Sequence, residues 1–410
     1  MQISPGAGQP SKFYSLSRIF ITGMGLISAL GNSVAENRER LINGYCGIST
    51  LELLASRYAN SLPCGEIKCS TQALQDKLNA NEPGITRTTL LALHAFQEAV
   101  GDAELTNDEL SSPGTALITG TTVGGMCLTD ELYLDGQKSE NGSEYIDSYD
   151  CSSVAMYLQK RHNISGIVNT INTACSSSAN AIMYGARLIK SGRAKKAIVG
   201  GADSLSKFTI NGFNALHILS PDKCTPFDEH RKGLNLGEGA AFLILERQED
   251  ITGKKVYGEI TGYFNSSDAF HPSSLSDEGY GPYLSMKGAL NFAKLQPADI
   301  GFINAHGTGT ENNDLVESKA MIQLFNAPPP FASTKSNTGH TLGAAGAIEA
   351  VYSLLSLYHQ EIYPAVNFFQ PIAETNLTPA IAYSTTALQH IMSNSFGFGG
   401  NCTSLIFSKS

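Results

Sequence analysis

The sequence predicts an α/β protein built on largely parallel sheets. Short β-branched runs ending in glycine recur along the chain, and segments with helical apolar spacing lie between them. A polar break at Asp250 to Lys255 (DITGKK), with a strand of the form apolar-x-Thr-Gly opening each side, adds an expected internal duplication, with halves at 1–254 and 255–410.

The strands come in order as RIFITGMG (18–25), TALITGTT (115–122), KAIVGGADS (196–204), KVYGEITGY (255–263) and IGFINAHGTGT (300–310), each read as a buried strand closed by a tight turn. Thr88 to Val100 and Ser176 to Lys190 read as helices. In the second, Ala179, Ile182, Met183, Ala186 and Ile189 make one apolar face, with Arg187 and Lys190 near its end.

Composition excludes several classes. The chain has 410 residues, 42% hydrophobic and 16% charged, with 40 glycines and no tryptophan, which fits a tightly packed enzyme rather than a disordered or fibrous chain. Net charge is -9 and the most basic patch is SGRAKK (191–196), so a nucleic-acid partner is not expected. The N-terminal stretch 1–18 lacks an apolar signal core, and Ala344 to Leu357, the most apolar stretch, is interrupted by Glu349 and too short to span a bilayer. No membrane insertion and a cytoplasmic location follow as expectations. The eight cysteines (46, 64, 69, 127, 151, 175, 224 and 402) have neither zinc-site pairing nor disulfide-scaffold density.

One of them has an unusual setting. In INTACSSSAN (171–180), Cys175 sits among small residues just before a helix, where unpaired amides and the helix dipole favour an anion and lower a thiol pKa. A lone cysteine is more often a buried packing residue. Two histidines also lie in glycine- and threonine-rich loops, His306 in NAHGTGT and His340 in KSNTGHTLGAAGAIEA. One imidazole beside a thiol serves acyl transfer or hydrolysis. Two imidazole N–H groups aimed at one point make a hole for an enolate oxygen. The turn NSFGFGGNC (394–402), with Phe396 and Phe398, can add backbone amides to an oxyanion hole, or simply end a strand.

With these motifs in place the chain resembles an elongating β-ketoacyl-acyl carrier protein synthase, in the ketosynthase branch of the thiolase superfamily. The match runs in order and spacing from ITGMGLISALG (21–31) through TACSSS, PFDEHRKG (226–233), LGEGAA (236–241), AHGTGT and KSNTGHTLGAAG to FGFGG. The resemblance implies a thiolase-like fold, two pseudo-duplicated halves forming a five-layer α-β-α-β-α sandwich. It implies Cys175 as acyl-accepting nucleophile, His306 and His340 as the pair supporting decarboxylation of a malonyl thioester, and Lys335 as a further active-site residue. It assigns the amides of Cys175 and Phe398 to the oxyanion, Phe398 to a gate, Thr308 and Thr310 to the pantetheine arm, and Val123, Phe213 and Phe396 to the substrate pocket.

Glu349, Asp314, Glu317, Asn394 and Ser395 fall to supporting positions. A carboxylate on the apolar helix at Glu349 needs neutralising, by Lys335 or by a structural monovalent cation near Glu317, Glu349, Asn394 and Ser395. No catalytic metal or other cofactor is implied, because substrates ride on the phosphopantetheine of an acyl carrier protein. That carrier is the implied partner, with a homodimer closed by the KKAIVGGADS strand, or a heterodimer with a chain-length-factor-like subunit.

The sequence departs from the usual pattern at Asn401 and Cys402, where relatives carry threonine and asparagine, which puts local hydrogen bonding in doubt. His217 stands where a carrier-docking arginine is common. An acidic carrier needs a local basic patch on this acidic chain, for which Lys207 is the candidate. The competing readings are a thiolase, with Cys402 as second cysteine, a non-catalytic partner subunit, and a thioester hydrolase. KSNTGH and FGFGG weigh against the first, Cys175 with both histidines against the second, and the second imidazole against the third. Acyl length, saturation and the choice between fatty-acid and specialised polyene pathways stay open at this level.

Overall fold

The β-branched runs become the strands of two matching sets. In the computed structural model, which describes residues 17–138 and 140–410, β1 (Ile19–Ser28), β2 (Thr115–Gly120), β3 (Val168–Ile171), β4 (Lys196–Asp203) and β5 (Gly239–Arg247) lie side by side in the order β3-β2-β4-β5-β1. Residues 1–16 of the N-terminal stretch lie outside the described residues. Strands β6 (Gly258–Ser267), β7 (Phe302–Asn304) and β8 (Phe331–Ala332) are followed by a short separate ribbon, β9 (Glu361–Ile362) with β10 (Ser384–Thr385), and then by β11 (His390–Gly397) and β12 (Asn401–Ser408). The second set repeats the first as β8-β7-β11-β12-β6.

The largely parallel sheet expected from the sequence needs one correction. In each set one strand, β5 or β12, runs against the other four, inserted antiparallel between β1 and β4 or between β6 and β11. For β12 the cause is local: only Phe398–Gly400 separates it from β11, and so tight a connection can make only a hairpin. The sets meet edge to edge where β1 pairs antiparallel with β6 at Phe20↔Glu259 and Ile21↔Gly258.

Helices complete the five layers. Ser177–Lys190 and Ala345–His359 pack on each other between the sets, the first against β2 and β4, the second against β5 and β11. Arg87–Asp102 covers β1 and β5 from outside, and Tyr280–Ala293 covers β6 and β12 with Glu311–Phe325 beside it. The apolar face read from the sequence is the face that is buried: Ala179, Ile182, Met183, Ala186 and Ile189 join Ala347, Ile348, Val351 and Leu354 in the central core. Each fully buried aliphatic side chain there contributes roughly 1.5–3 kcal/mol.

A second correction concerns KKAIVGGADS. Its strand, β4, is buried between β2 and β5 and is not available as an interface; the edge of the first set is β3, whose residues are only partly buried. No helix among the described residues is long and apolar enough to cross a membrane.

Gly120, the last residue of β2, decides where the helix after Cys175 begins. A Cβ there would lie 2.4 Å from Ser178 N and 2.6 Å from Ser177 C, so the helix start rests directly on the strand. Gly120→Ala is expected to cost on the order of 1–3 kcal/mol through overpacking, read as a lower urea midpoint at unchanged slope.

Candidate active site

Cys175 lies on the loop between β3 and the central helix Ser177–Lys190, as the sequence implies, and it is buried. The preceding Ala174 takes φ 53, a left-handed conformation that costs a non-glycine residue roughly 1–2 kcal/mol and turns the chain sharply at the nucleophile. The thiol is not the depressed one that a helix N-terminus predicts. Burial pushes it up to about 11, against the opposing pull of the Phe398 N–H, the Lys335 charge and its own N–H. At neutral pH Cys175 is therefore a thiol, because loss of solvation outweighs the dipole and the two amides.

His306 and His340 come from the two glycine-rich loops and meet with ring centroids 5.5 Å apart, edge to face at 84°. Burial and the nearby Lys335 charge hold both imidazoles well below the usual histidine range, so both are neutral near pH 7. Lys335 is 2% exposed and its Nζ has three acceptors: the Glu349 carboxylate, the His306 carbonyl at 2.6 Å and His306 Nδ1 at 3.2 Å. Because Nδ1 accepts from an ammonium, the proton of His306 sits on Nε2. His340 Nδ1 is buried without a partner, a tolerable state for a lone pair and a costly one for an N–H, which puts its proton on Nε2 as well.

Lys335 is thus the group that neutralises Glu349, although burial still pushes that carboxyl up to about 7. The side chains at the implied cation position, Glu317, Glu349, Asn394 and Ser395, are partly engaged with one another and with backbone. Glu317 already accepts from His306 N and Gly307 N at 2.9 Å and from Asn394 Nδ2 at 3.2 Å, and Asn394 Oδ1 accepts from Ser404 Oγ at 2.8 Å. Of these side-chain atoms, Glu349 Oε2 and Ser395 Oγ are buried without a hydrogen-bond partner. Glu317 and Asp314 instead brace the AHGTGT loop: Asp314 accepts from Thr308 N at 2.9 Å and from Phe227 N at 2.8 Å.

A cavity of about 300 Å³ opens onto Cys175, His306 and His340. Thr308 and Thr310 stand along it with their hydroxyls 2.8 Å apart, and Phe396 lies beneath with its ring 5.7 Å from that of His306. Phe398 and Phe213 stack at 5.8 Å and 15° on its wall. Val123 does not line this cavity; it packs in a neighbouring apolar cluster that Phe213 also touches, its N–H held by Asp203 at 3.2 Å. His217 lies on the exposed side of the same cavity, whereas Lys207 lines a separate surface hollow with Arg57.

The departures resolve locally. Asn401 Oδ1 accepts from Ser176 Oγ, next to the nucleophile, at 2.8 Å. Cys402 packs with Leu275, Val316 and Phe396 and does not line the cavity that Cys175 lines, so it is not placed as a second nucleophile. Sequence reading missed Asn312 and Leu275, which wall the cavity and are tied by Leu275 N to Asn312 Oδ1 at 2.9 Å; neither sits in a motif that singles it out. It also missed Asp203, whose carboxylate holds Thr122 N at 2.8 Å and Gly343 N at 2.7 Å, linking the TTVGG loop to the segment after His340.

The model of the beta-ketoacyl synthase N-terminal domain matches residues 16–251, and that of the C-terminal domain matches residues 257–369. The chain belongs to the beta-ketoacyl synthase family. It is 32% identical to the 3-oxoacyl-[acyl-carrier-protein] synthase 2 of Staphylococcus aureus over 96% of this chain and 98% of that one. The enzyme of the same name from Vibrio cholerae is 31% identical over 96% and 100%. Among solved structures, the ishigamide ketosynthase/chain length factor superposes with a TM-score of 0.91 at 28% identity, covering 97% of this chain and 100% of that one. The ketosynthase ApeO in complex with its chain length factor ApeC from Xenorhabdus doucetiae gives 0.83 at 30%, covering 98% and 100%.

Two outcomes follow from the electrostatics. Iodoacetamide capture of Cys175 should climb about tenfold per pH unit above neutrality and still be rising at pH 10, as a thiol near 11 requires; a plateau near pH 8 would contradict the burial argument. Lys335→Ala should cost roughly 3–5 kcal/mol in urea unfolding because it strands Glu349, and adding Glu349→Leu should recover part of that loss.

Proposed function

We propose that the chain performs a decarboxylative Claisen condensation between an acyl group held on Cys175 and malonyl carried by an acyl carrier protein, in fatty-acid or polyketide-type biosynthesis. The observation that supports it best is one cavity holding a buried thiol and two neutral imidazoles with Nε2–H tautomers.

In the first half-reaction the Cys175 sulfur attacks the carrier thioester as its proton is released toward the phosphopantetheine sulfur. The tetrahedral oxyanion takes the N–H groups of Cys175 and Phe398, and the carrier's phosphopantetheine thiol leaves with the proton. In the second, the malonyl C–C bond to the carboxylate breaks and carbon dioxide departs. The enolate oxygen accepts from Nε2–H of His306 and His340, and the enolate carbon attacks the acyl-Cys175 carbonyl. The sulfur of Cys175 leaves as a thiolate and takes a proton from water, and the product is a β-ketoacyl chain two carbons longer on the carrier. Thr308 and Thr310 hold the pantetheine arm, Phe398 with Phe213 gates the acyl side, and Lys207 with Arg57 offers the acidic carrier a basic landing.

We assign the division of the halves to 254/255, in keeping with β5 ending at Arg247 and β6 opening at Gly258. Edge strand β3 is the proposed seam for a second copy or a chain-length-factor-like subunit, since its outer edge has backbone groups free to extend the sheet. The eight cysteines are all free, which accords with the reducing cytoplasm.

Intact-mass measurement tests the reading. Wild type mixed with a panel of acyl carrier thioesters should gain one acyl mass that Cys175→Ala does not, then release a chain extended by two carbons when malonyl carrier protein is added. Acylation followed only by free acid would make it a hydrolase instead.

A further inference from the structure

The two amides that face the thiol come from opposite halves of the chain. One N–H belongs to Cys175 itself, on the loop before Ser177–Lys190, and the other to Phe398, on the turn between β11 and β12; both favour the thiolate of Cys175 against its burial. An oxyanion hole works only if its donors keep their spacing to within about 0.5 Å. No covalent link holds these two in register, although the turn presses on the loop closely enough that a Cβ at Gly397 would lie 2.7 Å from Thr173 O and 3.2 Å from Cys175 N.

Asn401 spans that gap. It opens β12, just past the turn that carries Phe398, and its Oδ1 accepts from Ser176 Oγ at 2.8 Å, Asn180 Nδ2 at 2.9 Å and Asn265 Nδ2 at 2.7 Å. Ser176 follows the nucleophile directly, Asn180 lies one helical turn beyond it, and Asn265 is on β6, the strand paired with β12. Two amide NH₂ groups and a hydroxyl converge on this one oxygen, which fixes the direction of the Asn401 amide and saturates its lone pairs. The donors are themselves anchored: Asn180 Nδ2 also reaches Thr173 Oγ1 at 2.8 Å, Asn180 Oδ1 accepts from Thr403 Oγ1 at 2.9 Å, and Asn265 Nδ2 reaches the same Thr403 hydroxyl at 2.8 Å.

The two histidines hang on other contacts. Lys335 and Glu317 fix His306, while His340 N donates to Asn235 O at 2.7 Å and its carbonyl accepts from Gly237 N at 2.9 Å. Asn401 bonds neither histidine nor the groups that hold them, although Glu317, which takes His306 N, also takes Asn394 Nδ2 on β11.

We propose that Asn401 is a positioning residue that sets the spacing of the Cys175 and Phe398 amides, and so controls acyl transfer onto Cys175 without controlling decarboxylation at His306 and His340. The proposal rests on the condensing reading above.

Three rates on full-length wild type, Asn401→Ala, Ser176→Ala and the double variant test it, with melting temperature as a check on folding. They are iodoacetamide capture of Cys175 against pH, followed by peptide mass, acylation from an acyl carrier thioester, and carbon dioxide release from malonyl carrier protein. In Asn401→Ala the capture profile should move to higher pH and acylation should slow on the order of tenfold to a hundredfold at unchanged KM, while carbon dioxide release holds. Ser176→Ala should shift the same two rates by less, and the double variant should be no slower than Asn401→Ala, because both remove one contact. If Asn401→Ala does not fold, Ser176→Ala decides by the same profile. Parallel loss of acylation and carbon dioxide release, or an unmoved capture profile, overturns the proposal. Wild type that captures iodoacetamide at Cys175 but neither acylates nor releases carbon dioxide overturns the condensing function, and the capture profile then still decides Asn401.

Discussion

The loops that carry the two histidines are organised around one buried nitrogen. Lys335 Nζ, on the short Lys335–Thr338 helix, has three protons and three acceptors from two other elements: the Glu349 carboxylate on the central helix Ala345–His359, and the carbonyl and Nδ1 of His306 on the AHGTGT loop. An unpaired charge at 2% exposure would cost several kcal/mol, so each contact is held in place by the cost of losing it. The same contacts set the chemistry. With Nδ1 of His306 occupied as an acceptor, its Nε2–H is a donor before any substrate arrives.

Further buried carboxylates extend the scheme by holding backbone instead of side chains. Glu317 and Asp314 sit under the AHGTGT loop and take its amides, and Asp203 takes amides from the TTVGG loop and from Gly343. Burial raises all three carboxyls, and the amides draw them back toward the ionised form. Glycine-rich loops carry little side-chain packing of their own. A buried acid that gathers several N–H groups gives such a loop one conformation, which is how flexible sequence comes to hold two imidazoles 5.5 Å apart.

How much of this was legible in the sequence follows from the range of each interaction. Strand positions and the buried face of Ser177–Lys190 were legible, because periodicity records which side of an element meets the core. Cys175, His306, His340 and Lys335 were legible through their motifs, and the structure brings them to one place. The antiparallel insertion of β5 and β12 was not, since strand order depends on pairings between distant segments. Nor was the interior position of β4, whose short apolar run reads the same at an edge or a centre. Val123 was placed by its motif with the pocket residues, and the structure sets it in the apolar cluster that Phe213 also touches rather than on the cavity wall, since a motif fixes a loop and not the direction of each side chain on it. Asn401 registered only as a departure from pattern; its three donors come from positions 176, 180 and 265, which no local reading connects.

The error about the Cys175 thiol explains the resting site. A helix N-terminus stabilises an anion by a modest amount, whereas removing a sulfur anion from water costs more, and at complete burial the second effect wins. The resting site therefore holds a neutral thiol beside two neutral imidazoles, with the nearby positive charge of Lys335 already partnered by Glu349. The first unbalanced charge to form in the cavity is then the one the reaction creates, on the thioester oxygen or on the enolate. In the proposed reaction, donors for both are in position beforehand, amides for the first and imidazole N–H groups for the second. A resting thiolate would have occupied the amides in the ground state, and their stabilisation would not have been reserved for the transition state.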